Sequence, residues 1–216
     1  MIETTQRPLN LLLLLVALLL VYGLMNETAL ASLFLLIMLF AVLLSATLQL
    51  SARKKQRWPA FALAVPTLLC FLIYHFGGIH PAGVLGYGLL AVFFFYTVVR
   101  LLSRVLAGGA VNRDHIFLAL SVYLLLGFGW FAIYSLVDLL NPGSFHSTVN
   151  APGYLLNAGD RIYYSFEALT TLGLGDLVPF KPLARILTVL EAATGVLYVG
   201  VLVARLVSSY ADMRNK

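Results

Sequence analysis

The sequence predicts an all-α membrane protein of six transmembrane helices, with a short helix and a glycine-alternating segment folded back between spans five and six. Three observations carry this. The chain of 216 residues is 61% hydrophobic and 11% charged, against about 25% charged in a soluble domain. Its apolar residues gather in six runs, at about 9–25, 29–50, 58–76, 82–106, 115–140 and 183–209. Each comes close to the roughly 20 residues that cross a hydrocarbon core about 30 Å thick. The segment between the last two runs is instead broken by Gly, Pro, Asn and Asp.

The first run follows Arg7-Pro8. It is longer than a signal-peptide core and no small-residue cleavage site follows, so it is a retained span. The loop 51–57, with Arg53, Lys54, Lys55 and Arg57, is the strongest basic cluster and is assigned to the cytoplasm. Both termini are then cytoplasmic. Arg7, Arg100, Arg104, Arg113, Arg205, Arg214 and Lys216 lie inside with the cluster, and only Arg161, Lys181 and Arg185 lie outside. The net charge of +5 therefore marks topology and not a nucleic-acid surface.

The third span carries the single cysteine, Cys70, which excludes an internal disulfide framework. In the fourth span Arg100 and Arg104 sit at the cytoplasmic end. Steep voltage dependence needs about three or four charges per subunit within the field, and spans one to three offer no buried acids as partners. These arginines are topology anchors. Gly86 and Gly88 in span four, and Gly127 and Gly129 in span five, lie inside continuous apolar runs. Close helix packing accounts for them. Asn26-Glu27-Thr28 forms a glycosylation sequon in a loop too short for use. His75, His80, His115 and His146 fall near span ends without metal-ligand spacing. No catalytic constellation and no phosphate loop are present, so neither an enzyme nor a bound cofactor is expected.

The positive-inside assignment puts residues 141–182 on the outer side. Asp160 is the expected N-cap of a short helix over about 161–171. That helix runs inward and ends at Thr170 and Thr171, with the partial negative charge of its carboxyl end at the membrane middle. There follow Leu172-Gly173-Leu174-Gly175-Asp176. Carbonyls facing one axis require alternating backbone handedness, and φ > 0 is cheap only for glycine. Gly173 and Gly175 occupy alternate positions, with the Leu172 and Leu174 side chains turned away from the axis. Such a run suits a cation filter in which carbonyls replace the ion's water, with the Thr171 hydroxyl as an innermost ring and Asp176 at the outer mouth.

Residues 163–176, Tyr-Tyr-Ser-Phe-Glu-Ala-Leu-Thr-Thr-Leu-Gly-Leu-Gly-Asp, resemble the pore helix and filter of potassium channels, especially bacterial ones, whose filter usually reads Thr-Val-Gly-Tyr-Gly-Asp. The resemblance covers about the last 100 residues, through Pro179, Arg185 and span six. It implies a pore domain over 111–216 behind a four-helix region over 1–110, and a homotetramer in lipid that closes the ring around K+ as the permeant ion. It implies filter positions at Thr171, Leu172, Gly173, Leu174 and Gly175, supported by Thr170. It also implies that Glu167 pairs with Asp176 behind the filter, where two close carboxylates favour one shared proton. Leucine replaces the usual valine at 172 and tyrosine at 174. The second change removes a hydroxyl that tethers the filter, which leaves the degree of selectivity for K+ over Na+ open.

Glu191 lies well inside span six, where a carboxylate marks a functional site by default. Gly195, four residues on, matches the glycine at which inner helices of this family bend to open a gate. Two placements stand for Glu191: beside the ion cavity, or in a subunit interface hydrogen-bonded to the pore helix. The expected function is passive K+ conduction across the cell membrane without an Arg-rich voltage sensor. The alternatives are a weakly selective cation channel and a non-conducting sensor or assembly subunit that keeps the pore fold. Few residues follow span six, so regulation is expected from the membrane, pH, ions, spans one to four, or a separate subunit.

Overall fold

A computed structural model describes residues 6–24, 29–50, 54–107, 112–150 and 154–214. Among them run helices α1 (Gln6–Leu24), α2 (Ala29–Gln49), α3 (Lys54–Gly77), α4 (His80–Leu106), α5 (Arg113–Leu140), α6 (Ala158–Leu169) and α7 (Pro182–Arg214). Two short strands, β1 (Phe145–Ser147) and β2 (Leu177–Pro179), flank α6 in the sequence. Among the described residues, four apolar stretches are long enough to cross a membrane by length and composition: Trp58–Gly77, His80–Leu106, Arg113–Leu140 and Pro182–Ser208. The other two predicted spans fall on α1 and α2, whose described apolar stretches, Pro8–Tyr22 and Leu36–Gln49, are shorter. The sequon at 26–28, Arg53 and Lys216 lie outside the described residues, as do the side chains of Lys54, Lys55, Arg57 and Arg214.

The helix ends follow local chemistry. Asn112 caps α5, its side chain accepting from the His115 N–H at 3.0 Å, with Asp114 in the first turn to meet the helix dipole. Pro81 stands in the first turn of α4, where its missing N–H has no intrahelical use. Pro59 and Pro66 lie inside α3. Thr67 covers the neighbouring backbone by donating to Leu63 O at 2.7 Å, the kind of local repair that lets spans carry proline.

α4 lies along α5, α3 along α4, and α1 against α2, α5 and the start of α6. Leu11, Leu15 and Leu18 recur four and three residues apart and are fully buried, which gives α1 one inward face. Aromatic rings link the layers: Phe94 of α4 is 6.1 Å from Phe128 of α5, which is 5.6 Å from Phe166 of α6. A Cβ on Gly127 would come within 2.6 Å of the Phe166 ring, on Gly129 within 3.2 Å of Phe95, and on Gly86 within 3.3 Å of Cys70. Close packing thus explains three of the four span glycines. Gly88 has open space around it.

One buried cluster extends from Leu11 to Tyr198, so the regions on either side of residue 110 share a core. Arg161 of α6 reaches back to α5. It donates to Asp138 Oδ2 at 3.3 Å, to Ser135 Oγ at 3.1 Å and to Leu156 O at 2.6 Å. The guanidinium fork satisfies three acceptors at once. Arg161 is therefore an anchor of the short helix.

Candidate functional site

The site is built on α6, a helix of 12 residues, hence about 18 Å long and too short to cross a hydrocarbon core of about 30 Å. Its start corrects the sequence reading. Asn157, not Asp160, is the N-cap: the Asn157 side chain accepts from the Asp160 N–H at 2.8 Å, and the Asp160 carboxylate accepts from the Asn157 N–H at 2.9 Å. This reciprocal capping box puts the acid at the third helical position. Tyr154 donates to the same carboxylate at 2.9 Å. The helix consequently ends at Leu169, with Thr170 as C-cap. Thr170 donates to Phe166 O at 2.7 Å.

The backbone beyond Thr170 alternates in handedness. Thr171 has φ 57°, Gly173 φ 64° and Gly175 φ 78°, with Leu172 and Leu174 outside the positive region. This pattern allows successive carbonyls to line one side. The sequence reading assigned the left-handed positions to the two glycines, and Thr171 is a third. A β-branched residue there is an outlier that costs about 1–3 kcal/mol. The end of α6 holds it in place, since Ala168 O accepts the Thr171 N–H at 3.1 Å and Glu167 O accepts the Leu172 N–H at 2.9 Å. The Thr171 hydroxyl donates to Thr170 O at 2.7 Å. With its proton committed, the oxygen keeps lone pairs for a cation.

Glu167 and Asp176 are both beside this segment, but they bond to different groups. Glu167, 5% exposed, accepts the Gly175 N–H through Oε1 at 3.1 Å. Asp176 Oδ1 accepts from Tyr163 Oη at 3.1 Å and from the Leu177 N–H at 3.0 Å. The expected carboxylate pair is thus replaced by two separate clamps, one on the glycine-rich backbone and one on the residue that ends it. The reason is that each carboxylate meets a donor of its own: Glu167 the backbone N–H of Gly175, and Asp176 the hydroxyl of Tyr163, one turn earlier on α6 than Glu167.

Glu191 is fully buried and faces α6 of its own chain. The hydrogen bond to the short helix, one of the two placements considered, forms within one chain. Ser165 Oγ lies 2.6 Å from Glu191 Oε1 and 2.7 Å from Gly127 O of α5. A serine hydroxyl carries one proton and the carbonyl can only accept. Both contacts are hydrogen bonds when Glu191 supplies the second proton as a carboxylic acid. Glu191→Gln keeps such a donor and is expected to leave stability and conductance unchanged. Glu191→Leu cannot donate and is expected to lower stability by about 1–3 kcal/mol, read by thermal unfolding of the solubilised protein. Equal losses in the two variants would show that the carboxyl is held ionised.

Gly195 also turns toward α6, not toward open space. A Cβ there would lie 1.9 Å from Leu169 O, and α7 runs through the position unbroken. With the Tyr164–Thr188 hydroxyl contact at 2.6 Å, the two helices meet at three levels: Thr188 with Tyr164, Glu191 with Ser165, and Gly195 with Leu169.

The segment between α5 and α6 contributes a strand that the sequence reading missed. β1 pairs antiparallel with β2 in the register Phe145 with Pro179, His146 with Val178 and Ser147 with Leu177. Phe145 roots it, 2% exposed and 5.1 Å from both the Tyr134 and Tyr164 rings.

A short helix capped at its amino end is followed by a left–right alternating backbone and set between two long apolar helices, the order of elements that the sequence reading expects around a filter. Residues 118–211 match a family model described as ion channel. The match supports an ion-channel pore domain over these residues, and the long apolar helices support a membrane protein. No curated protein and no solved structure matches the chain.

Proposed function

We propose that the protein is a potassium-selective channel in which four copies bring residues 171–175 to a common axis. The observation that carries this reading is the φ alternation at Thr171, Gly173 and Gly175, directly after the carboxyl end of a helix too short to cross. Four such segments form stacked carbonyl rings with Thr171 hydroxyls innermost, and four α6 ends stabilise a cation beneath them. α6 is then re-entrant, its irregular return covered by protein, and α1 and α2 complete six spans with both termini cytoplasmic in the cell membrane.

Unsatisfied apolar surface supports the assembly. Leu172 and Leu174 are 60% and 63% exposed in one chain, and a cavity of about 570 Å³ opens between α1, α6 and Leu172. Of the apolar window in α5, 67% is buried, against 17% in α7. Neighbouring copies cover these surfaces, the two leucines among them. α7 lines the inner cavity and carries the gate, with Gly195 as the point of close approach to α6.

A second reading, a weakly selective cation channel, is favoured by Leu174, which has no hydroxyl to tether the filter. Purified protein in liposomes separates the readings. Potassium flux at least tenfold above sodium flux is expected. Comparable fluxes identify the weakly selective channel, and no flux of either ion rules out conduction.

A further inference from the structure

The outermost carbonyls of the candidate filter are held by a residue 27 positions away in the sequence. Thr148 follows β1 and extends its register by one step: its N–H donates to Asp176 O at 2.8 Å. Its hydroxyl lies 2.9 Å from Gly175 O and 3.3 Å from Asp176 O. Gly175 is therefore gripped on both sides of its α-carbon, its N–H by Glu167 at 3.1 Å and its carbonyl by Thr148. The grip is rooted, because β1 is fastened through Phe145 and through Ser144, whose carbonyl accepts the Phe180 N–H at 2.8 Å. Thr148 itself is exposed. It fills no core, so its side chain is free to act on the filter backbone without a packing role.

We propose that Thr148 is a positioning residue for ion conduction: its hydroxyl clamps the Gly175 carbonyl to the outer strand and fixes the outer end of the filter. This rests on the channel reading above. The Gly175 carbonyl stands immediately outward of the ring formed at Leu174. At φ 78° its peptide plane is not fixed by side-chain sterics, since glycine has no Cβ to restrict it. A carbonyl that accepts from Thr148 directs a lone pair to the periphery of its own chain. Freed from that hydroxyl, the plane can rotate, and the outermost cation site gains or loses a ligand.

The test compares Thr148→Val, which keeps the shape and removes the hydroxyl, with Thr148→Ser, which keeps the hydroxyl. Single-channel recordings in planar bilayers are made at low and high external K+. One hydrogen bond in a partly exposed site corresponds to about a threefold to tenfold change in an equilibrium. Thr148→Val is expected to shorten open-state lifetimes by that factor at low external K+, high external K+ to restore them, and Thr148→Ser to match the unmodified protein throughout. Lifetimes in Thr148→Val that equal those of the unmodified protein would overturn the proposal. So would a loss that serine fails to rescue or that external K+ leaves unchanged, or failure of both variants to assemble, because each assigns the residue to general folding. Absence of cation current in the unmodified protein would instead remove the channel reading itself.

Discussion

Replacing Gly195 by alanine is expected to abolish ion flux and to reduce the fraction of assembled protein. The added Cβ would stand 1.9 Å from Leu169 O, 2.9 Å from Leu169 C and 3.2 Å from Leu169 Cδ1. The first two are backbone atoms, so no rotamer change relieves the clash. Either α7 moves off α6 or the end of α6 moves. Overpacking a tight interior costs about 1–3 kcal/mol and more where the obstacle is rigid, and in the proposed tetramer each copy carries the cost. The displaced carbonyl belongs to the residue before Thr170, so the shift passes directly into residues 171–175. Gly200 is the control, because a Cβ there meets nothing within 4 Å. Alanine at 200 should gain up to about 1 kcal/mol of helix propensity with normal flux. Size-exclusion chromatography and potassium flux in liposomes measure both outcomes. A Gly195→Ala channel that assembles and conducts normally would show that α7 does not rest on α6 in the working protein.

The same interface shows what could be read from sequence. Thr188, Glu191 and Gly195 follow an i, i+3, i+7 stripe, and Tyr164, Ser165 and Leu169 lie within two turns of α6. The equal spacing of four between Glu191 and Gly195 and between Ser165 and Leu169 fits two helices running in the same direction. The stripe on α7 was legible, and so was the unusual carboxylate in it. The identity of its partner was not. Which α6 residue meets Glu191 depends on the rotation of each helix about its own axis, and that is set by Gly127 admitting Phe166 and by Gly195 admitting Leu169 O. Hydropathy contains no information on either.

Spans were legible because the membrane imposes one length on all of them. The predicted runs over 82–106 and 115–140 became α4 at 80–106 and α5 at 113–140, with differences only at the amino-terminal ends. Asn157 and Asp160 show a finer limit. Both residue types cap helices, and Asp160 stands just before the apolar stretch. Only the reciprocal bonds decide that the asparagine is outside the helix and the aspartate within it. Thr148 was not legible at all. Its role arises from a three-residue strand in a polar loop, paired across the sequence with Leu177–Pro179, and no periodicity announces so short a strand. Thr171 lies between these cases: alternate handedness was expected from the glycines, but its extension to a threonine follows from the bonds that end α6.

Gly173→Ala is expected to separate folding from conduction. An added Cβ at Gly173 meets nothing within 4 Å, so the chain has room for it, unlike at Gly195. The obstacle is the backbone, since at φ 64° an L-residue pays about 1–2 kcal/mol to stay left-handed. A single chain tolerates that. In the proposed ring of four the cost is about 4–8 kcal/mol on the same estimate, and the peptide plane on either side relaxes instead, turning a carbonyl out of line. Helical content and assembled mass should match the unmodified protein while potassium flux falls at least tenfold. Gly88→Ala, also in open space but in a regular helix, should change neither. If Gly173→Ala conducts at the unmodified rate, left-handed backbone at 173 is not what presents carbonyls to the ion, and the filter assignment fails with it. If assembly is lost along with flux, the position is packed against a neighbouring copy, and space as well as handedness requires the glycine. The contrast with Gly195→Ala, where assembly and flux are expected to fall together, distinguishes a glycine needed for close approach from one needed for its φ.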